Sequence, residues 1–312
     1  MKTMENRRVL GVIPASAIVI SSMIGTGIFT TTGLMVAMGA KGGDILLGWL
    51  IGGVIALSGA LCYGEIGAHL PASGGEYHYL SRLLHPAAGF ISGWVSLIVG
   101  FAAPIAASAM AMHLYVATIF PNWPVRQMAA VTILLFALLH SYDLRLGSQI
   151  QTIMIVIKLF LLLVFVFGIL LAAPSTGSGS PMAFNPAFWT SSSFAVVLVF
   201  ISFAYSGWNA ASYIGAEIDS PERNLPRALI WGAGSVTFLY FVVNLVFLRS
   251  VELEQLSGVE EVGYVVAAAV WGPSGGQAAS TFIALTLVAP ISAMLLTGPR
   301  VAEAMARDGF LP

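Results

Sequence analysis

Apolar runs as long as a bilayer is thick constrain this chain more than any other feature. The hydrocarbon core is about 30 Å across, and a helix of about 20 apolar residues crosses it. Eight such runs stand between charged or Pro/Gly-rich punctuation, at residues 12–38, 45–68, 86–119, 128–140, 150–172, 194–218, 228–248 and 278–296. The third is long enough to tilt strongly and the fourth is short. Residues 262–271 are apolar but too few to cross, so they are expected to form a helix on the surface, placed to act as a lid. With 58% hydrophobic and 9% charged residues, the 312-residue chain lies outside the range of water-soluble domains. The expected fold class is therefore all-α integral membrane.

Charge gives the orientation. With the N-terminus cytoplasmic, Lys2, Arg7, Arg8, Arg82, Arg145, Arg223, Arg227, Arg300 and Arg307 fall inside, against Lys41, Arg126 and Arg249 outside. Basic residues concentrate in cytoplasmic loops, which favours this orientation in the cell (inner) membrane. The first apolar run follows the basic head, continues past signal-peptide length and lacks a cleavage site, so it reads as a first span. A net charge of -1 gives no basic excess for nucleic acid. Cys62, the single cysteine, reads as a small core residue within an apolar run. His69, His78, His85, His113 and His140 lack the i, i+4 spacing of a metal site, and neither a metal nor a cofactor is expected.

Two spans carry weak points at mid-membrane. Span one contains Ser21-Ser22-Met23-Ile24-Gly25-Thr26-Gly27-Ile28-Phe29, where two glycines flank a small hydroxyl residue. Five spans later, span six contains Phe203-Ala204-Tyr205-Ser206-Gly207-Trp208-Asn209. Unwound backbone in hydrocarbon leaves peptide groups unsatisfied at several kcal/mol each, so it must line a cavity. It frees amide donors at the start of the following half-helix and carbonyl acceptors at the end of the preceding one, a pairing that suits a carboxylate and an ammonium. Two breaks at matching places in successive five-span units point to an inverted-repeat transporter with a midplane site. Close helix packing at Gly25, Gly27 and Gly207 is the alternative reading. Phe203, beside the second break, is a candidate gate or pocket wall. A channel would show pore-lining polar stripes or a carbonyl-rich filter, and an enzyme a nucleophile–base pair at depth; neither pattern appears in the sequence.

Lys158 sits within Ile155-Val156-Ile157-Lys158-Leu159-Phe160. A lysine at a helix centre costs about 2.5–3.5 kcal/mol on insertion scales, so it needs a partner or a purpose. Snorkelling to the interface is the alternative. Asn244 in span seven reads as a helix-packing hydrogen bond. Glu65, Glu76, Glu217, Asp219, Glu222, Arg223, Arg227, Arg300 and Arg307 are candidates for an inner gate of ion pairs, with Glu217 foremost, or else are solvated loop charges.

Four stretches, in order, resemble the amino acid-polyamine-organocation permeases, particularly bacterial amino acid permeases and relatives of the L-type amino acid transporters. They are Ile24-Gly25-Thr26-Gly27-Ile28-Phe29; Tyr63-Gly64-Glu65-Ile66-Gly67 with Ser73-Gly74-Gly75-Glu76-Tyr77; the span-six motif with Glu217, Pro221, Glu222, Arg223 and Pro226; and Gly298-Pro299-Arg300-Val301 with Met305-Ala306-Arg307-Asp308-Gly309. The resemblance implies a leucine-transporter-like fold of two inverted five-helix repeats, here 9–173 and an incomplete 190–312 within one domain. It implies a secondary amino acid carrier, proton-coupled or exchanging, with a polyamine or other organocation permease, or a non-transporting partner, as alternatives. Substrate carboxylate is expected on the amides of Thr26, Gly27 and Ile28, and the ammonium on the carbonyls of Met23, Phe203 and Ser206. Ile24, Gly25, Ala204 and Gly207 complete the site. The resemblance also implies that Lys158 replaces a sodium ion beside the first break, near Ser292. Phe203, Glu217 and Arg223 stay, from the residues alone, the candidates for gating. Relatives have about twelve spans, which implies a piece of a longer protein.

Overall fold

The computed structural model describes residues 10–142, 144–172 and 183–311, with the side chains of 142 and 144–152 outside that description. Lys2, Arg7, Arg8 and the Arg145 side chain, used above for orientation, therefore lie outside it. The first span forms as two helices, Val12–Met23 and Gly27–Ala37, because Ile24 leaves helical space (φ −74°, ψ 94°) ahead of Gly25. Gly42–His69 follows, then a short helix Gly75–Leu83, then the third span Pro86–Ala117. The fourth is Val125–Tyr142, the fifth Leu144–Ala172, the sixth Ser192–Ala204 and the seventh Pro221–Ser250.

Among the described residues, six helices are long and apolar enough to cross a membrane. The fourth and sixth of the eight expected spans are shorter apolar helices. At 13 residues, Ser192–Ala204 reaches only about 20 Å of the 30 Å hydrocarbon thickness. The expected span at 194–218 therefore needs correction. Beyond the break the chain forms no second α-helical half, only 3-10 turns at Ala210–Tyr213 and Gly215–Glu217. Its backbone there pairs with other segments. Leu10 bridges Ile218 in parallel, and Ser73 bridges Ile214 in antiparallel.

The third span contains a π-helix, Ser96–Ala102, where a continuous α-helix was expected. Pro104 has no N–H for the Gly100 carbonyl and its ring crowds that carbonyl, so a widened turn just before it relieves both problems. The last span begins earlier and runs longer than expected. Val262–Arg307 contains one break at Gly272 (φ 75°, ψ −178°), directly before Pro273. Residues 262–271 thus form their own helix, as the apolar length suggested, and bury Val262, Val266 and Ala267 against the core. Cys62 corrects another expectation: it is exposed on the outer face of the second span, not buried.

The second and seventh spans approach closely at two glycines, Gly53 against Thr237 and Gly64 against Pro226. Beside them meet three aromatics, Trp49 of the second span, Tyr240 of the seventh and Tyr205 at the end of the sixth. Trp49 and Tyr240 have ring centroids 5.1 Å apart and Tyr205 and Tyr240 5.0 Å apart. The Tyr205 hydroxyl donates to the Trp49 carbonyl at 2.8 Å. Such edge-to-face aromatic contacts contribute about 0.5–1.5 kcal/mol per pair beyond burial. They form a firm wall directly behind the second break.

Candidate functional site

At the first break, helix Val12–Met23 ends with its last carbonyls pointing past Ile24, and the new helix starts at Gly27. The Phe29 amide is satisfied by Thr26 O at 2.9 Å. The amides of Thr26, Gly27 and Ile28 stand at a helix start, where the first N–H groups have no partner within the helix. Two side chains from other spans close on the loose carbonyls. Lys158 of the fifth span, only 1% exposed, donates from Nζ to Ser21 O at 2.8 Å and to Ile24 O. The Tyr240 hydroxyl of the seventh span lies 2.7 Å from Met23 O and 3.0 Å from Ala204 O. Tyr240 therefore joins the carbonyl ends of the two broken helices. One turn further along, Asn244 accepts from Thr32 Oγ1 and donates to Tyr240 O at 2.8 Å, the packing bond expected of it.

The second break meets the first. Gly207 has φ 95°, and a Cβ there would stand 2.8 Å from the backbone carbon and oxygen of Ser22. Only glycine suits both the left-handed backbone and the contact. A Cβ on Gly27 would overlap Ala204, so the two broken helices also abut at the restart of the first. Beside these contacts opens a cleft of about 200 Å³, bordered by Ser22, Ser206, Gly207, Asn209 and Tyr213. Glu76, from the helix Gly75–Leu83, also borders it. Its Oε1 accepts from Ser96 Oγ and from Tyr213 OH at 2.7 Å, and its Oε2 accepts from Asn209 Nδ2 at 3.1 Å.

A polar layer covers the face carrying Gly75–Leu83. Glu217 pairs with Arg300 at 3.5 Å, the Tyr77 hydroxyl donates to Asp308 at 2.7 Å, and Arg307 pairs with Glu303 at 2.6 Å. These groups line a vestibule of about 510 Å³. Burial and the bond to Asp308 push the Tyr77 phenol up to about 12. Burial first, and the Arg82 charge second, push the His78 imidazole below its ordinary 6.5, with Asp308 opposing.

The structure brings most of the expected residues together. Met23, Ile24, Ile28 and Ala204 are buried at the junction, Gly25 faces open space, and Ser206 and Gly207 border the cleft. Thr26 stands at the N-cap position of the restarted helix, without a side-chain capping bond. Others stand apart. The Phe203 side chain is 41% exposed and is not among those bordering the cleft. Arg223 is exposed at the start of the seventh span. Ser292 is buried against His140, whose Nε2 lies 2.9 Å from Oγ. The sequence reading assigned no role at the breaks to Tyr240, and placed Glu76 among loop charges. The only local signal for either was a polar atom in otherwise apolar or glycine-rich surroundings.

Taken together, the helices define a multi-pass membrane protein in which a buried lysine and a buried tyrosine hold the carbonyl ends at two helix breaks. The chain belongs to the amino acid permease family, whose sequence model matches residues 10–312. It is 28% identical over 317 residues to the b(0,+)-type amino acid transporter 1 of Oryctolagus cuniculus, covering 99% of this chain and 65% of that protein. It is 29% identical over 326 residues to the large neutral amino acids transporter small subunit 2 of Mus musculus, covering 98% of this chain and 59% of that protein. The serine/threonine exchanger SteT of Bacillus subtilis (strain 168) is 28% identical over 321 residues, covering 100% of this chain and 72% of that protein. The chain thus spans less than two thirds of the length of the first two relatives.

Proposed function

We propose that this chain carries amino acids across the cell membrane by alternating access, binding them between the breaks of spans one and six. The observation that carries this reading is the pressing of Gly207, in the second break, on Ser22 in the last turn before the first break, beside a cleft of about 200 Å³. Backbone amides at the restart of span one, those of Thr26, Gly27 and Ile28, suit a carboxylate, because the helix dipole is positive there and the donors lack helical partners. Main-chain recognition of this kind fixes the common part of an amino acid and leaves the side chain to the cleft wall.

Lys158 takes the place of a bound cation. Its ammonium sits on the carbonyl end of Val12–Met23, where the dipole is negative, and so holds the first break open without a metal ion. A proton on this group is then the natural coupling ion. Exchange of one amino acid for another, the activity in the name of the Bacillus subtilis relative, needs no ion movement and is the simpler mode. Residues 9–173 form the first repeat in this reading and 190–312 the start of the second, with the N-terminus cytoplasmic. Glu217 and Arg300, opposite each other across the vestibule, act as the inner gate.

The test is reconstitution of the full chain in liposomes loaded with unlabelled amino acids, followed by uptake of a labelled panel with and without a pH gradient. Saturable uptake stimulated by the internal amino acid is expected. Uptake no faster than in protein-free liposomes, across the panel, overturns the reading.

A further inference from the structure

The third span, Pro86–Ala117, carries three glycines, and packing accounts for two of them. A Cβ on Gly89 would overlap Ser81, and one on Gly93 would overlap Met305. Gly100 is different. Its φ is not positive, and beyond its own helix backbone a Cβ there would meet only Ser96 Cβ, at an ordinary 3.8 Å. Glycine inside a helix is less stable than alanine, and neither backbone geometry nor packing gives a reason for it at this position.

The side of the helix onto which Gly100 opens is the cleft beside the breaks, which it borders together with its neighbour Phe101. Ser96, the one side chain that a Cβ on Gly100 would touch, turns its hydroxyl to Glu76 on the same border. The Cβ direction of Gly100 therefore lies on the cleft side of the span. The wall around it is fixed. The Phe101 ring lies against Gly298, where a Cβ would stand 3.2 Å from Phe101 Cγ, and its centroid is 5.1 Å from that of Tyr213. Met294 of the last span stands on the same border, and the second break supplies Ser206 and Gly207. Gly207 cannot be enlarged without meeting Ser22, so of the two glycines on this border only Gly100 has room for a side chain.

Space beside Phe101 and Met294 is filled more favourably by an apolar group than by water. With the main chain of an amino acid held at the breaks, its side chain is the part that enters this space. We propose that Gly100 is a specificity-determining residue, whose lack of a side chain makes room for substrate side chains of leucine and phenylalanine size. The inference rests on the amino-acid reading of the site. A larger residue at this position takes up the same space and turns the cleft towards alanine and serine.

The experiment measures ligand-induced thermal stabilisation of the purified full chain, converted to relative affinities. The probes are leucine and phenylalanine against alanine and serine, on wild type, Gly100→Ala and Gly100→Val. In Gly100→Val the affinities for leucine and phenylalanine are expected to fall at least ~10-fold, because added methyl groups overfill an occupied site, while those for alanine and serine change less than about threefold. Gly100→Ala, with a single added methyl, should shift the same ratio about threefold and decides the matter if Gly100→Val does not fold. Equal weakening of all four ligands would mean that Gly100 serves only the shape of the π-helix, and it overturns the inference. So does an unchanged ratio in both variants, or a wild type that alanine and serine stabilise but leucine and phenylalanine do not. If no amino acid stabilises wild type, the amino-acid reading itself falls, which is a separate outcome.

Discussion

Replacing Gly207 by alanine tests the contact between the second break and the end of the helix that leads into the first. Two costs follow from the geometry. A residue with a Cβ in the left-handed region at φ 95° is strained by about 1–2 kcal/mol. Its new methyl would also stand 2.8 Å from the Ser22 carbonyl carbon and oxygen and 2.9 Å from Ser22 Cβ. These are parts of a backbone pinned by Lys158 and Tyr240, so the neighbour cannot simply rotate away, and overpacking adds about 1–3 kcal/mol. The sum, about 2–5 kcal/mol, lowers the population of the joined breaks at least ~30-fold. Gly234→Ala is the control, because its new methyl meets only Leu57 Cδ2 at 3.9 Å in mid-helix, where alanine is the better helix former. The assays are thermal unfolding in detergent and uptake in liposomes. Gly207→Ala is expected to lose both melting temperature and uptake, and Gly234→Ala neither. A Gly207→Ala protein that melts and transports like wild type would refute the reasoning, since the segments could not then be in contact.

Three further outcomes follow from named contacts. Lys158→Met removes the charged donor from Ser21 O and Ile24 O; at about 1.5–3 kcal/mol per bond, uptake should fall at least tenfold, and equal rates with equal pH dependence would remove Lys158 from coupling. Tyr240→Phe strands Met23 O and Ala204 O without their shared donor, which should cost about 1–3 kcal/mol in chemical unfolding and raise the amino-acid KM, whereas an unchanged KM would separate Tyr240 from the site. The His78 ring favours its neutral form in the fold, so the unfolded chain binds more protons below 6.5 and stability drops as pH falls through that value. His78→Gln should flatten melting temperature over that acid range, and an unaltered acid-side slope would locate the titrating group elsewhere.

Helix breaks were legible because they are local. Glycines around Thr26 and at 207 weaken a helix wherever they lie, and the apolar length of residues 262–271 was by itself enough to separate them from a crossing span. Lys158 was legible because a charge at depth demands an acceptor, and the first break supplies one. Tyr240 was not, since a single hydroxyl in an apolar helix gains meaning only from carbonyls 217 and 36 residues away in sequence. Glu76 resembled any acid at a helix start, and the partners that give it significance lie 133 and 137 residues further along. The missing second half of span six had a long-range cause as well. Hydropathy favoured a helix through residue 218, but that backbone finds its partners in Leu10 and Gly74.

The most direct measurement is ligand protection of a thiol placed in the cleft. With exposed Cys62 replaced by serine, Ser206→Cys leaves a single cysteine where the two breaks meet. Its reaction rate with a small methanethiosulfonate reagent is followed with and without an equimolar mixture of the standard amino acids other than cysteine, then with serine, leucine and arginine singly. An amino acid seated between the breaks should slow modification at least fivefold at saturation, about 1 kcal/mol of occupancy. A reaction rate that no amino acid alters would contradict binding at that junction.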